Sequence, residues 1–373
     1  MALPSQSFIP LRILVRGVNW LGDAVMTTPA LLRLREKFPN AHIVLLTPEK
    51  LTDLWQHHSA VNETIAFAPG ERIFSVSRRL RAEKFELALV LPNSPRAALE
   101  VWLAKIPRRV GYVRPLRNWL LTSAVAPRVQ AAPMRKRTPG EIRKLIAAPM
   151  PQNSRSQFHP AAHQVHEYLH LVAALDANPE PVSPQLTVTP EDRVSARKKF
   201  ALEKVDGLVF GLNPGAEYGP AKRWPVENFI AAAKEIQKRT NCVWVLFGGK
   251  NDAELAQQIE SATGNRQSAV FNLAGKTSLR ELMSLLKLCR VLLTNDTGPM
   301  HVAAALGTPV VVPFGSTSPE LTGPGLPGDP RHHLLRADAP CSPCFLRKCP
   351  IDFRCMTGIT VERVVEAVMQ AAR

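Results

Sequence analysis

Two series of short apolar runs, separated by longer amphipathic stretches, constrain the fold of this chain more than any other feature. The first series begins at Arg12 and the second at Gly207. The runs read RILVRG, AHIVLLT and LALVLPNS in the first series, and GLVFGLN, VWVLFGG, RVLLTND and TPVVVPFG in the second. Helical spacing between the runs, as from Ala24 to Phe38 and from Val226 to Thr240, predicts parallel strands with helices on the faces of each sheet. We therefore predict an α/β fold of two doubly wound, Rossmann-like domains that face a cleft lined by the carboxyl ends of the strands.

A proline-rich stretch sets the predicted domain boundary. From Asp176 to Asp192 the chain has four prolines and little apolar periodicity, as expected of a linker. The prediction is an N-terminal domain over 1–176, a linker over 177–192, a C-terminal domain over 193–340, and a cysteine-rich segment with a final helix over 341–373. Within the first domain, basic residues and prolines from Val129 to Gln157 predict a mobile loop.

The charge balance narrows the class of partner. The 373 residues include 47 Lys+Arg and 31 Asp+Glu, a formal net charge of +16, which favours nucleic acid, phosphorylated sugars or an acidic membrane surface. The opening text MALPSQSFIP has no basic start followed by an apolar run, and no uncharged apolar stretch of about 18 residues follows. We therefore expect a cytoplasmic protein whose basic excess steers it to acidic membrane surfaces.

The turn from Gly17 to Asp23, between a strand and a helix, resembles a phosphate loop in outline only. Asp23 and Ala24 stand where a Walker loop has Lys and Ser/Thr, and a carboxylate there repels phosphate. Asp23 at a helix start is therefore either a general base, kept ionised by the helix dipole, or a simple N-cap.

A second loop, from Asn213 to Pro225, has a composition suited to a diphosphate. It combines glycines with the adjacent cations Lys222 and Arg223, so that flexible backbone and two positive charges can follow the phosphate oxygens. The alternative is that the two basic side chains are simply solvated.

A third loop leads into a helix over the text TNDTGPMH. Thr297 and Gly298 can present backbone N–H groups at the helix start, a common phosphate site, and Asp296 can hold sugar hydroxyls. His301 lies on the same side as Asp296, or it is an ordinary helix histidine with its hydrogen bonds satisfied.

Six strings of sequence, in order and spread over nearly the whole chain, resemble the ADP-heptose:lipopolysaccharide heptosyltransferase family. They read NWLGDAVMTTPAL, LPNSPRAAL, LNPGAEYGPAKRWP, LFGGKND, NLAGKTSL and TNDTGPMHVAAALGTP. Within the family they are most similar to the enzymes that add the second heptose, and the enzymes for the first or third heptose are the alternative. The resemblance implies a GT-B fold, with an N-terminal domain for the lipid-linked acceptor and a C-terminal domain for ADP-heptose.

The resemblance also implies roles for single residues outside the third loop. Asp23 of the WLGD motif is the implied general base, and Lys222 and Arg223 of AKRWP neutralise the diphosphate. Asp252 matches a position near the ribose, and residues 273–277 match a loop near adenine.

In the third loop, the resemblance implies contacts with both the sugar and the phosphates. Asp296 lies at the heptose, the amides of Thr297 and Gly298 lie at the phosphates, and His301 lies close by.

The implied reaction is a single displacement that inverts the anomeric centre. A hydroxyl of the first heptose of Kdo2-lipid A-heptose attacks the L-glycero-D-manno-heptose of ADP-heptose while Asp23 removes the proton. We expect no cofactor and no metal, and the chain has no DxD triplet, although Mg²⁺ can modulate the rate. The expected partners are ADP-heptose, the lipid A-linked acceptor and the anionic inner face of the inner membrane.

Four cysteines crowd into one segment as C-x2-C-x4-C-x5-C. They are Cys341, Cys344, Cys349 and Cys355. Four thiolates can form a structural zinc site, but the second pair is more widely spaced than usual, and reduced thiols or a redox pair are the alternatives.

Two other classes of function stay open at this point. A nucleotide-sugar epimerase has the same architecture but needs several carboxylates and a histidine around one sugar. A nucleic-acid-binding module would use the positive charge, but no RNA-binding motif or aromatic platform accompanies it, so nucleic acid is not an expected partner.

Overall fold

The chain divides into two compact units. The computed structural model describes residues 9–148, 158–264 and 270–373. Unit 1 comprises Met1–Ala131 and Gln164–Thr187, and unit 2 comprises Ala132–His163 and Val188–Arg373.

The segment 132–163 groups with unit 2 although it precedes the predicted linker. Arg137 donates its backbone N–H to the carbonyl oxygen of Cys344 at 3.0 Å, and the ring of His163 bonds to the carbonyl oxygen of Gly323 at 3.1 Å. These contacts join it to the second sheet's loops, far along the chain. The roles assigned to the two domains stay predictions.

Unit 1 is built on one parallel sheet. Its strands are β1 (Arg12–Arg16), β2 (His42–Pro48), β3 (Glu63–Phe67), β4 (Leu87–Val90), β5 (Arg108–Tyr112) and β6 (Ser123–Val125). The helices up to the end of unit 1 are α1 (Leu21–Met26), α2 (Thr28–Lys37), α3 (Ile73–Ala82), α4 (Pro95–Leu103), α5 (Pro139–Ala147), which belongs to unit 2, and α6 (Val165–Ala173). The strand order is β3-β2-β1-β4-β5-β6.

Unit 2 repeats this architecture. Its strands are β7 (Val209–Asn213), β8 (Val243–Leu246), β9 (Val270–Asn272), β10 (Val291–Thr294), β11 (Val310–Phe314) and β12 (His333–Arg336), in the order β12-β11-β10-β7-β8-β9. Its further helices are α7 (Pro190–Lys199), α8 (Val226–Thr240), α9 (Ala253–Thr263), α10 (Leu279–Leu288), α11 (Gly298–Ala305), α12 (Pro319–Thr322), α13 (Arg354–Thr357) and α14 (Val361–Ala371). Among the described residues, no helix is long and apolar enough to cross a membrane.

The strands are buried on both faces, as continuous apolar runs predict for parallel sheets. In β1, Ile13, Leu14 and Val15 have no exposed surface. In unit 2, Phe210 of β7 packs in one cluster with Phe229 of α8. Helices therefore cover both faces, and only the strand ends carry loops that a ligand can reach.

The strand order reverses beside the first strand of each sheet. In unit 1 the chain runs outward from β1 through β2 and β3, then returns to β4 on the other side of β1. In unit 2 it does the same from β7, returning to β10. Loops at such a reversal diverge, which leaves a crevice at the carboxyl ends of the strands where α/β proteins bind ligands.

The single helix predicted from Ala24 to Phe38 is wrong: two helices meet at Thr27. Pro29 has no backbone N–H to donate to the carbonyl oxygen of Val25. The hydroxyl of Thr28 donates to that oxygen instead, at 2.8 Å. The proline thus ends α1 and begins α2.

The basic stretch from Val129 to Gln157 contains a helix, which corrects its prediction as a loop. The helix α5 begins with a capping box, in which the Thr138 hydroxyl accepts from the Glu141 N–H and the Glu141 carboxylate accepts from the Thr138 N–H. This exchange satisfies two N–H groups at the helix start. Residues 149–157 of the predicted loop lie outside the described residues.

A buried ion pair lies beneath the loop that follows β1. Glu100 of α4 accepts from the Nε of Arg16 at 2.9 Å and from the Nε of Arg96 at 3.0 Å, and the Arg16 and Glu100 side chains are 3% and 1% exposed. Arg16 also donates to the carbonyl oxygen of Gly17 at 2.6 Å and to the Oδ1 of Asn19 at 3.2 Å. The pair therefore fixes the start of the loop that leads to Asp23.

We predict that Glu100→Ala destabilises the protein by about 3–5 kcal/mol, because it leaves the buried Arg16 without its carboxylate. The matched control is Glu235→Ala, which breaks a pair with Arg239 whose side chains are 40% and 39% exposed and should lower stability far less, because water screens the exposed pair. Urea titrations followed by circular dichroism compare the two. Equal losses would contradict a structural role for the buried pair.

Candidate active site

In unit 1, Asp23 lies in the first turn of α1 but is not its N-cap. The N-cap residue is Trp20, whose backbone is extended and whose side chain makes no capping hydrogen bond. The simple N-cap interpretation of Asp23 is therefore wrong, and its carboxylate has another setting.

That setting is a hydrogen-bonded group at the start of α6. The Nε2 of Gln164 donates to the Oδ1 of Asp23 at 3.3 Å and to the hydroxyl of Tyr168 at 3.0 Å. Burial, followed by the charge of Asp23, raises the pKa of Tyr168 well above its usual value, so the phenol is neutral near pH 7. Gln164 and Tyr168 were not predicted, because a contact across 141 residues leaves no local pattern in the sequence.

In unit 2, one buried amide ties together the loops that follow β7 and β10. Asn295 is fully buried. Its Oδ1 accepts from the backbone N–H of Trp224 at 2.9 Å, and its Nδ2 donates to the carbonyl oxygen of Pro214 at 2.7 Å. Both ends of the amide are hydrogen-bonded, so the loops over residues 213–225 and 294–301 are fixed against each other.

Lys222 and Asp296 meet across these two loops. The Nζ of Lys222 lies 2.6 Å from the Oδ2 of Asp296, and the hydroxyl of Thr317 donates to the same oxygen at 2.5 Å. The two side chains are 14% and 4% exposed, so the pair is largely shielded from water. An ammonium group held this way at a crevice can exchange its carboxylate for a phosphate oxygen.

Arg223 and Asp252 form a second, weaker pair. Their closest side-chain atoms are 3.5 Å apart, and Arg223 also donates to the carbonyl oxygen of Ala216 at 3.3 Å. A Cβ atom at position 215 would lie 2.4 Å from the Asp252 carboxyl group. Gly215 therefore allows the loops after β7 and β8 to approach each other.

The helix α11 begins beside Asp296. Its N-cap is Thr297, in extended conformation with no side-chain capping bond, and Gly298 is its first residue. His301 is buried, and burial lowers its pKa to about 4 against the opposing charge of Asp296. The imidazole is therefore neutral near pH 7, beside a helix start that favours an anion.

The structure thus brings together six of the predicted residues at the carboxyl ends of β7 and β10. They are Lys222, Arg223, Asp296, Thr297, Gly298 and His301, with Asp252 following β8 and pairing with Arg223. The predicted adenine loop adjoins the loop after β8, since the N–H of Gly275 donates to the carbonyl oxygen of Gly248 at 2.9 Å. Asp23 belongs to unit 1.

The cysteine-rich segment supports the loop that carries Lys222. The hydroxyl of Tyr218 donates to the carbonyl oxygen of Phe345 at 2.7 Å, and the N–H of Ala221 donates to that of Arg347 at 3.0 Å. Gly219, at φ 147°, packs where a Cβ would lie 2.6 Å from the carbonyl oxygen of Arg347. The segment therefore also holds this loop in place.

All four cysteines of that segment line one cavity of about 10 Å³. Burial raises the pKa of Cys355 to about 12, and burial followed by the neighbouring Cys344 raises that of Cys341. Among the residues described, no group of three or more His, Cys, Asp and Glu side chains is placed to hold a metal ion. The zinc site, the reduced thiols and the redox pair all stay predictions.

The two doubly wound sheets and the cation-rich site at the carboxyl edge of the second are those of a nucleotide-sugar enzyme, and comparison with known proteins gives the family. The model of glycosyltransferase family 9 (heptosyltransferase) matches residues 116–353. The chain belongs to this family and is a glycosyltransferase. The family predicted from the sequence is thereby confirmed.

Individual relatives agree with the family assignment. The chain is 32% identical over 322 residues to lipopolysaccharide heptosyltransferase 2 of Salmonella typhimurium, covering 84% of this chain and 85% of that protein. It is 31% identical over 330 residues to lipooligosaccharide heptosyltransferase 2 of Haemophilus influenzae, covering 84% and 86%.

A solved structure confirms the predicted GT-B fold. The structure of Escherichia coli ADP-heptose lps heptosyltransferase II superposes with a TM-score of 0.77 at 29% identity, covering 97% of this chain and 98% of that one. The resemblance to the enzymes for the second heptose is thus also confirmed.

Proposed function

We propose that this enzyme transfers L-glycero-D-manno-heptose from ADP-heptose to the first heptose of a lipid A-linked inner core. The names of its relatives support the donor and the acceptor class. The observation that carries the proposal is the Lys222–Asp296 pair at 2.6 Å beside the start of α11. It combines a shielded cation, a carboxylate and helix N–H groups where a nucleoside diphosphate sugar needs all three.

The donor diphosphate binds at this carboxyl edge of the second sheet. Lys222 leaves Asp296 for a phosphate oxygen, and the Thr297 and Gly298 amides donate to the same group. Asp296, still held by Thr317, accepts from heptose hydroxyls. Arg223 adds charge at the diphosphate, Asp252 contacts the ribose, and neutral His301 lies beside the sugar.

Asp23 acts as the general base in a single displacement. The acceptor hydroxyl oxygen forms a bond to the anomeric carbon of the heptose, and its proton passes to the Asp23 carboxylate. The bond from that carbon to the diphosphate oxygen breaks, and ADP leaves with the electron pair, so the anomeric centre inverts. The bond from Gln164 to Oδ1 orients the carboxylate that receives the proton.

The reaction needs no cofactor, because the lysine, arginine and helix amides supply the charge that departing ADP requires. The acceptor is a lipid, so the enzyme works at the anionic cytoplasmic face of the inner membrane, with no role for nucleic acid. Transfer to a first or third heptose is the second candidate. An epimerase is less well supported, since the Salmonella typhimurium and Haemophilus influenzae relatives are named heptosyltransferases.

Mass spectrometry of the acceptor tests the function. Incubation with ADP-heptose should convert Kdo2-lipid A carrying one heptose into a product heavier by one heptosyl residue, with equimolar ADP. Kdo2-lipid A without heptose, and an acceptor that already carries two heptoses, should remain unmodified. Preferred modification of the acceptor without heptose would assign the enzyme to the first position, and preferred modification of the acceptor with two heptoses would assign it to the third. Isomerisation of ADP-heptose without acceptor would indicate an epimerase.

Replacing Asp23 distinguishes a general-base role of this residue from a purely structural one. Asp23→Asn keeps the size and an acceptor oxygen, so we expect a folded enzyme that binds ADP-heptose but has kcat reduced by about 10² to 10⁴. The control is Asp53→Asn, at a surface carboxylate of unit 1 that bonds only locally, to Gln56, and it should leave turnover unchanged. Near-normal kcat in the Asp23→Asn enzyme would remove Asp23 as the base.

A further inference from the structure

One stretch of the chain, most of it in unit 1, has strongly one-sided charge. Residues 101–140 contain nine Lys and Arg and no Asp or Glu, in a chain with 31 acidic residues. The part from 101 to 131 belongs to unit 1, where it forms the end of α4, strands β5 and β6 and the loop between them. This part has six of the nine cations. Arg117 is buried and Arg128 pairs with Glu167 of α6 at 3.0 Å, and the remaining excess of positive charge attracts anions.

The same stretch exposes large apolar side chains. Leu116 is 82% exposed, Trp119 is 67% exposed and Trp102 is 41% exposed. The two tryptophan rings pack edge to face with centroids 5.7 Å apart. Tryptophans in water lose the burial that usually stabilises them, so an exposed pair beside a leucine marks a surface that contacts something else.

Hydrogen bonds from two arginine side chains fix the backbone that carries these apolar residues. Arg117, with no exposed surface, donates to the carbonyl oxygen of Pro92 at 2.5 Å and anchors the loop that presents Leu116. The Nε of Arg109 donates to the carbonyl oxygen of Leu120 at 2.7 Å and fixes the turn that carries Trp119. The loop that exposes the apolar side chains is therefore fixed by hydrogen bonds to the rest of unit 1.

Cations flank the apolar side chains. Lys105 is exposed, and its N–H donates to the carbonyl oxygen of Trp102 at 2.9 Å, which places it one turn beyond that tryptophan. Arg114 lies over the ring of Tyr112 at 5.6 Å and donates its N–H to the Oδ1 of Asn118. We call Trp102, Lys105, Arg114, Leu116 and Trp119 the tryptophan surface.

We propose that the tryptophan surface binds an anionic lipid bilayer. Tryptophan and leucine side chains enter the headgroup region, while lysine and arginine contact the lipid phosphates. A second copy of the chain is a poor occupant, because it would present the same positive charge. The inference rests on the proposed function, since an enzyme with a lipid-linked acceptor must work at a membrane.

Vesicle binding by the full-length enzyme tests the proposal. Wild type should sediment with vesicles rich in phosphatidylglycerol, less so as salt is added, and weakly with phosphatidylcholine alone. The double variant Leu116→Ser/Trp119→Ser should bind at least about tenfold more weakly, because two apolar side chains no longer enter the bilayer. Val194→Ser, which removes a 65% exposed valine of α7 in unit 2, is the control and should bind like wild type.

A soluble acceptor separates this surface from the chemistry. The double variant should keep its turnover of an acceptor stripped of acyl chains and lose turnover of the same acceptor in vesicles. Leu116→Ser alone, together with circular dichroism, covers the case in which the double variant fails to fold. Vesicle binding unchanged in the folded variants would overturn the proposal, as would a wild type that transfers heptose but binds no vesicles. A wild-type dimer that the double variant converts to a monomer would instead assign the surface to self-association.

Discussion

The buried amide of Asn295 is the contact on which the geometry of the donor site depends. It joins the N–H of Trp224 to the carbonyl oxygen of Pro214, at 2.9 and 2.7 Å, with no exposed surface. Without it, two buried backbone groups would lose their partner, at a cost of about 1–3 kcal/mol each. Because this amide fixes the loops after β7 and β10 together, Lys222 and Asp296 meet. The cysteine-rich segment also holds the first of these loops.

In the first sheet, buried polar contacts likewise fix the loop after β1, but this loop carries a carboxylate. Its buried pair of Arg16 and Glu100 fixes the start of the loop after β1, while Gln164 holds the carboxylate of Asp23 at the loop's end. Both sites lie where the strand order reverses, since neighbouring loops diverge there. The chemistry differs because one sheet presents a carboxylate that can accept a proton, and the other presents cations and helix amides that bind anions.

Patterns of local origin were predictable from the sequence. The helix α8 was predicted with its observed bounds because its apolar spacing is regular and Asn241 ends it in the left-handed conformation. The family strings located the loop residues. Contacts across long stretches of chain were not predictable: the Lys222–Asp296 pair and the Gln164–Asp23 bond leave no periodic signal. The edge strand β6 has only three residues, which is too short to show an alternating apolar and polar pattern in the sequence.

Calorimetric titration of ADP tests most directly the central claim that the carboxyl edge of the second sheet binds the nucleoside diphosphate. The comparison is between wild type, Lys222→Ala and Lys234→Ala, which removes an exposed lysine of α8. A charge-assisted bond to phosphate contributes about 1.5–3 kcal/mol, so ADP should bind Lys222→Ala at least about tenfold more weakly and Lys234→Ala with unchanged affinity. Equal ADP affinity in wild type and a folded Lys222→Ala enzyme would contradict the claim.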